Sequence, residues 1–285
     1  MRLAYLGTPD AAVPPLRAIA DAGHEVALVV SRADKKRGRG GAMVPSPVKA
    51  AAIELGIPVT SRVADVLDAG VELGVVVAFG RLIKPEVLAR VPMINVHFSL
   101  LPRWRGAAPV ERAILAGDTE TGVGIMRLEE GLDTGPLFAQ ERVPIGPDES
   151  ADELRSRLVE TGTRLLVATL SAPLGEPVPQ VGEPTYATKI EPDELQIDWS
   201  RPAEEIHRLI RLGRAWTSFR GARLRVLRAR WSPGSLLAPG QLDGARVGTG
   251  GGTIELIEVQ PAGKAAQPVG AWLNGARLLP GDHLA

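Results

Sequence analysis

Asn95, His97 and Asp133 are the side chains in this 285-residue chain whose types and spacing suit acyl chemistry. Asn95 and His97 stand two apart in Met93-Ile94-Asn95-Val96-His97. In an extended segment they share one face, which Ser99 can continue, while Val96 and Phe98 pack on the other. An amide donor beside an imidazole suits polarisation of a carbonyl and stabilisation of the oxyanion formed when that carbonyl is attacked. Asp133 lies in Gly131-Leu132-Asp133-Thr134-Gly135-Pro136, where two glycines and a proline make a tight turn presenting one carboxylate able to orient His97. The bland alternatives are a histidine and asparagine satisfied by backbone groups in a core, and an aspartate capping its own turn.

Two readings from other classes use the same residues. A serine hydrolase would take Ser99, His97 and Asp133 as its triad, yet no Gly-x-Ser-x-Gly elbow surrounds Ser99, and side chains two apart on one strand are poorly placed as nucleophile and base. A nucleotide-binding regulatory sheet would need Gly-x-Gly-x-x-Gly after its first strand, where this chain has Gly7-Thr8-Pro9-Asp10.

The elements that must hold these residues alternate. Leu3 to Leu6, Glu25 to Val30, Val75 to Phe79 and Met93 to His97 read as strands. Helical patterns lie at Val13 to Ala22, Val48 to Leu55, Pro85 to Arg90, after Pro109, and at Ala151 to Leu170. This order predicts an α/β fold: an open, mainly parallel sheet with helices on both faces, binding ligands beyond the carboxyl ends of its strands, where Gly7, Arg32 and His97 fall. The stretch from Ala172 to Pro184 is rich in proline and glycine, so the domain boundary is expected near 190, giving domains 1–190 and 191–285. In the second, a helix at Ala203 to Leu212 precedes apolar stretches at Arg223 to Leu227, Thr253 to Val259 and Gly270 to Leu273 that alternate with glycine turns, the pattern of a small β-barrel. Gly248 to Gly252 is expected to be a turn, since no helix follows to make it a phosphate cradle.

With 45% hydrophobic and 23% charged residues the chain has the composition of a folded globular protein. Its 33 basic and 33 acidic side chains balance, so position matters more than total. Residues 31–40 carry a local charge of +4, with Lys35, Lys36, Arg37 and Arg39 prominent, and residues 201–230 carry +7. Such patches suit phosphate contact, although solvated surface explains them too. The loop from Ser31 to Val44 has no apolar periodicity and is expected to be mobile when free and to order on phosphates or bases. In Arg103-Trp104-Arg105 two cations flank an aromatic that either stacks on a base or anchors the core. The absence of cysteine excludes disulfides and thiolate chemistry, and four dispersed histidines lack the spacing of a metal cluster, so no metal is expected. No apolar run approaches a membrane span, and the N-terminus runs straight into a strand rather than a leader pattern, so a cytoplasmic protein is expected.

The chain resembles the 10-formyltetrahydrofolate-dependent formyltransferases, and along nearly its whole length those that act on methionyl initiator tRNA. The resemblance rests on Gly7-Thr8-Pro9-Asp10, Gly38-Arg39-Gly40, Pro45-Ser46-Pro47-Val48-Lys49, the run from Ile94 through Ser99-Leu100-Leu101-Pro102-Arg103-Trp104-Arg105-Gly106 to Pro109, Gly131 to Gly135, Thr185-Tyr186-Ala187 and Ile197-Asp198-Trp199. It implies a Rossmann-like catalytic domain and a C-terminal barrel of oligonucleotide-binding type that helps hold tRNA. It further implies Asn95, His97 and Asp133 as catalytic, Ser99, Leu100, Leu101 and Pro102 as the folate-contacting loop, and Arg39 as a tRNA contact. Lys35, Lys36, Arg37, Arg103, Trp104 and Arg105 are then candidate tRNA contacts as well. The formyl donor would be 10-formyltetrahydrofolate, with no metal, and a monomer is expected. Members acting on an amino sugar nucleotide or glycinamide ribonucleotide share this chemistry; the basic loop and second domain favour tRNA. Departures from the family pattern fall at Ala11-Ala12, Lys36, Gly41-Ala42, Phe98 and residues 215–219, and none removes a catalytic group.

Overall fold

The computed structural model of the chain describes residues 1–37 and 41–285, so Arg39 lies outside the described residues. The chain divides into two compact units, one made of residues 1–109, 120–144 and 155–188, the other of 110–119, 145–154 and 189–285.

The first unit is built on strands β1 (Arg2–Gly7), β2 (Glu25–Val30), β5 (Val59–Thr60), β6 (Leu73–Val77), β7 (Met93–His97), β9 (Glu120–Arg127) and β10 (Leu137–Pro144). An antiparallel pair of β3 (Lys35–Arg37) with β4 (Ala42–Val44) and a two-residue parallel pair of β8 (Arg105–Gly106) with β11 (Tyr186–Ala187) lie outside that sheet. The unit's helices are α1 (Val13–Asp21), α2 (Pro47–Glu54), α3 (Pro85–Leu88) and, from residue 155 on, α5 (Ala151–Leu170), whereas α4 (Pro109–Ala116) from residue 110 on and the first turn of α5 count with the second unit. The sheet runs β10-β9-β7-β6-β1-β2-β5, parallel from β7 to β5, with β9 and β10 antiparallel at the other edge. Leu3, Ala4, Tyr5 and Leu6 have no exposed surface, as befits a central strand covered on both faces. β1 meets β2 on one side and β6 on the other, and this reversal of winding opens the crevice at which such sheets take ligands.

Local chemistry explains the helix starts. Pro14 and Pro15 sit in the first turn of α1, where a missing N–H costs nothing. Ser46 caps α2 by accepting from Lys49 N at 3.1 Å, with Pro47 at the first helical position. Lys49 Nζ reaches back to Asp34 Oδ1 at 2.7 Å, so the Pro45-to-Lys49 motif ties α2 to the segment after β2. Within the stretch from Ser31 to Val44, whose residues 38–40 lie outside the described residues, two short strands pair. Lys35–Arg37 pairs with Ala42–Val44 because paired backbone groups satisfy each other without any apolar face.

The second unit is mostly antiparallel. Helix α6 (Ala203–Ile210) precedes β12 (Trp216–Phe219), β13 (Ala222–Ser232), β14 (Leu242–Asp243), β15 (Arg246–Gly248), β16 (Thr253–Pro261), β17 (Gln267–Pro268) and α7 (Val269–Ala276). The sheet order is β12-β13-β16-β15-β14, with β17 on β16. On β13, Leu224, Val226 and Ala229 point inward while Arg223, Arg225, Arg228 and Arg230 are exposed, so much of the positive charge of residues 201–230 forms a stripe on one strand. Gly270 to Leu273, expected as a strand, is helical instead. Val269, Trp272, Leu273 and Ala276 follow helical spacing and pack on the barrel core, where Trp272 meets Phe219 edge-on at 5.1 Å between ring centroids. In Ile197-Asp198-Trp199, the Trp199 indole N–H donates to Thr217 Oγ1 at 2.9 Å inside that core.

Candidate active site

β7 carries Asn95 and His97 to the carboxyl end of the sheet, in register with Met126 and Gly124 of β9. Glycines in β9 leave room for the loop that follows β7. A Cβ on Gly122 would lie 2.2 Å from Glu141 O and 2.5 Å from the Leu100 side chain, and a Cβ on Gly124 would approach Leu101. Leu100 therefore occupies a gap that glycine at 122 leaves open, while at Gly124 the tight neighbour is Leu137 at 3.0 Å and Leu101 lies at ordinary contact distance. The Leu101 carbonyl also accepts from Gln140 Nε2 at 3.2 Å, which fixes the loop to β10.

The loop turns back on His97. Trp104 has φ +62°, a left-handed conformation unusual for a bulky residue. Its carbonyl lies 2.9 Å from His97 Nε2. A carbonyl only accepts, so Nε2 carries the hydrogen, and in the neutral ring Nδ1 presents a lone pair. Nδ1 faces Asp133 Oδ2 at 3.5 Å, with His97 6% and Asp133 13% exposed. The same Asp133 oxygen accepts from Gly106 N at 2.8 Å, and Asp133 is itself left-handed at φ +50°. The turn holding it needs Gly135, where a Cβ would fall 1.9 Å from Arg127 O.

Two proton acceptors thus confront each other across the Nδ1 gap, a place where one proton would be held by both. With Nε2–H spent on the Trp104 carbonyl and Nδ1 turned to Asp133, neither ring nitrogen of His97 is left over for the oxyanion donation expected of it, and the pair is arranged instead to hold a proton. Asn95 differs. Its half-buried carboxamide meets no hydrogen-bonding partner among the described residues, which leaves an N–H pair on the same face as His97.

The other expected site residues fall in several places. Ser99 is fully buried and donates to Arg103 O at 2.6 Å, so its hydroxyl braces the loop and is turned away from a nucleophile's role. Leu101 and Pro102 are buried, and Leu100 is half-buried. Arg103 is exposed and stacks over the Trp104 ring at 4.5 Å, and Arg105 is half-buried against Gln180. Lys35 and Lys36 are exposed on β3, the strand that Arg37 ends. Thr185 was legible as part of a motif but not as an organiser: its Oγ1 accepts from Trp104 N at 2.9 Å and so supports the strained turn. A cavity of about 740 Å³ lies between α1 and α5, lined by residues such as Pro14, Ala18, Val159 and Val167, and none of the chemistry-bearing residues borders it. Among the described residues, no group of three or more His, Cys, Asp or Glu side chains is placed to hold a metal ion, and no helix is long and apolar enough to cross a membrane.

Comparison with known proteins places this geometry in a family. The family model described as "Formyl transferase" matches residues 1–170, and that described as "Formyl transferase, C-terminal domain" matches residues 189–277. The chain belongs to the formyl transferase family. A relative named methionyl-tRNA formyltransferase from Heliobacterium modesticaldum is 44% identical, over 99% of this chain and 99% of its own length. Another of that name, from Roseobacter denitrificans, is 46% identical over 99% of this chain and 98% of its own. Among solved structures, the formyl transferase fold recurs in an N-formyltransferase from Helicobacter canadensis, crystallised with folinic acid and dTDP-3-aminofucose. It covers 89% of this chain and 98% of its own with a TM-score of 0.70, at 18% identity.

Proposed function

We propose that this formyl transferase moves the formyl group of 10-formyltetrahydrofolate to the free α-amino group of methionyl initiator tRNA, giving the formylated initiator of translation. The observation that carries the reading is the full-length identity to methionyl-tRNA formyltransferases, joined to a site in which an unspent Asn95 amide stands beside the His97–Asp133 pair. In the 99–102 loop the half-buried Leu100 is the apolar side chain left to meet a folate ring system, and the exposed Arg103, Lys35 and Lys36, with Arg105, suit the phosphates of an acceptor stem.

The amine nitrogen attacks the formyl carbon, a C–N bond forms, and the former carbonyl oxygen becomes an oxyanion. Asn95 donates to that oxygen, an interaction that strengthens as charge develops. The proton leaving the amine is taken into the His97 Nδ1–Asp133 gap, directly or through water. Collapse of the intermediate breaks the bond from carbon to the folate nitrogen, and the held proton returns to that nitrogen. Asp133 stabilises the transient imidazolium, and the Trp104 carbonyl keeps the ring from turning over.

Labelled formyl donor is incubated with methionyl initiator tRNA, methionyl elongator tRNA, free methionine and amino sugar nucleotides in parallel. Preferred labelling of the initiator tRNA is the expected result. Labelling of a small amine alone would retain the folate chemistry and overturn the tRNA assignment.

A further inference from the structure

The stretch from Val178 to Ala187 lies between the two family-model matches, in a segment whose proline and glycine content reads as a linker. In the structure it straps together the two loops that build the site. Val178 exchanges two backbone hydrogen bonds of 2.8 Å with Leu137, just beyond the Asp133 turn. At its other end, Thr185 N donates to Pro102 O, Arg105 N donates to Thr185 O, and Ala107 N donates to Ala187 O.

Gln180 joins these attachments by its side chain. Its Nε2 donates to Asp133 O and to Gly135 O, both at 2.8 Å, and its Oε1 accepts from Arg105 Nε at 3.1 Å and Nη2 at 2.6 Å. The orientation of the amide follows from its partners, because two carbonyls require the NH₂ and a guanidinium requires the oxygen. A junction needing two donated hydrogens and one acceptor on a long side chain is met by glutamine. Glutamate would set an oxygen against two carbonyl oxygens, leucine would leave all partners unmet, and asparagine is one methylene short.

We propose that Gln180 is a positioning residue for formyl transfer: by clamping the left-handed Asp133 turn to Arg105, it sets the carboxylate against His97 Nδ1 and holds the Arg105 guanidinium by Nε and Nη2, leaving Nη1 for an anionic substrate. This rests on the catalytic reading of Asp133 given above. The clamp acts on a strained residue. Asp133 at φ +50° stays left-handed only while its surroundings hold it, and two of the four hydrogen bonds of the clamp grip carbonyls on either side of Thr134.

The test compares Gln180→Leu and Gln180→Glu with the parent chain, and repeats Gln180→Leu in an Asp133→Asn background. Loss of a supporting hydrogen-bond partner behind a reacting group lowers activity about tenfold to a hundredfold, and that fall is expected in kcat for both variants. In Gln180→Glu, which keeps an acceptor for Arg105, KM for tRNA stays near the parent value, whereas in Gln180→Leu it rises. In the Asp133→Asn background, Gln180→Leu is expected to cost little more, since a residue acting through Asp133 has nothing left to position. Hydrogen exchange at the Gly106 amide, which donates to Asp133, is expected to quicken in both variants. The inference is overturned if kcat and Gly106 exchange are unchanged in both, or if Gln180→Leu costs the same factor with and without the Asp133 carboxylate. Should Asp133→Asn abolish transfer while both Gln180 variants match the parent, the role of Gln180 falls and the function stands. Should the parent chain itself transfer no formyl group, the functional reading falls, and Gly106 exchange still decides whether Gln180 holds Asp133.

Discussion

Replacing Asn95 by alanine separates catalysis from stability more cleanly than any other substitution in the site. The Asn95 carboxamide gives no hydrogen bond to a described residue, and its backbone is fixed in the ladder by Val76 on one side and Met126 on the other. Truncation breaks no protein hydrogen bond and opens no deep cavity, so the loss of stability should stay within about 1 kcal/mol. The transition state loses an oxyanion donor, for which about 2.7–4 kcal/mol, roughly 10²–10³ in kcat, is expected. Because product release can mask the chemical step, the assay is single-turnover transfer of labelled formyl to saturating methionyl initiator tRNA, with thermal unfolding measured on the same samples. Asn95→Asp serves as a control: it keeps the size but presents a carboxylate to the developing oxyanion, so it should be at least as slow as the alanine variant. A near-parental single-turnover rate in Asn95→Ala, or a loss confined to KM with kcat intact, would refute the assignment.

Other expectations follow from named contacts. Gly135→Ala must displace Arg127 or the turn itself, because its Cβ would lie 1.9 Å from a backbone oxygen; kcat should fall at least about tenfold, and parental activity in a folded variant would show that the Asp133 turn can move freely. Trp199→Phe removes the indole donor to Thr217 and one ring from the buried core, so thermal unfolding should report about 1–3 kcal/mol of lost stability, with the active-site rate of the folded protein unchanged. His207 is 3% exposed, and burial holds its pKa below the ordinary 6.5; Arg211 and Arg208 push the same way, while Asp148 and the Ala229 backbone oppose them. The folded chain therefore binds fewer protons than the unfolded chain, and this contribution to stability is full above pH ~6.5 and lost as pH falls through that value towards the folded pKa. Thermal unfolding of His207→Gln between about pH 7.5 and 5.5 should show a smaller decline than the parent, and an equal decline would remove His207 as the source.

The parallel half of the sheet was legible because its strands are continuous apolar runs. Glu25–Val30 and Met93–His97 begin and end where hydrophobic pattern alone puts them. β9 escaped such reading because Gly122 and Gly124 interrupt it, and what they accommodate, Leu100 against Gly122 and Leu137 against Gly124, is set by tertiary packing. The helix α7 reads as a strand in sequence because Gly270 to Leu273 is too short for its period to show, and the packing of Trp272 on Phe219 settles it. At the site, the spacing of Asn95 and His97 and the Asp133 turn were visible in sequence. The partners that aim them were not. The Trp104 carbonyl, the Thr185 hydroxyl and the Gln180 amide act through left-handed turns and contacts across 7 to 81 residues of chain, for which residue type at a single position carries no signal.

The most direct test of the site is a structure of the chain bound to a non-transferable analogue of 10-formyltetrahydrofolate. The formyl oxygen is expected roughly 2.7–3.1 Å from Asn95 Nδ2, with the formyl carbon open to an amine on the side of His97 and Asp133. A formyl group bound away from Asn95, with His97 Nδ1 and Asp133 remote from the formyl carbon, would contradict the account.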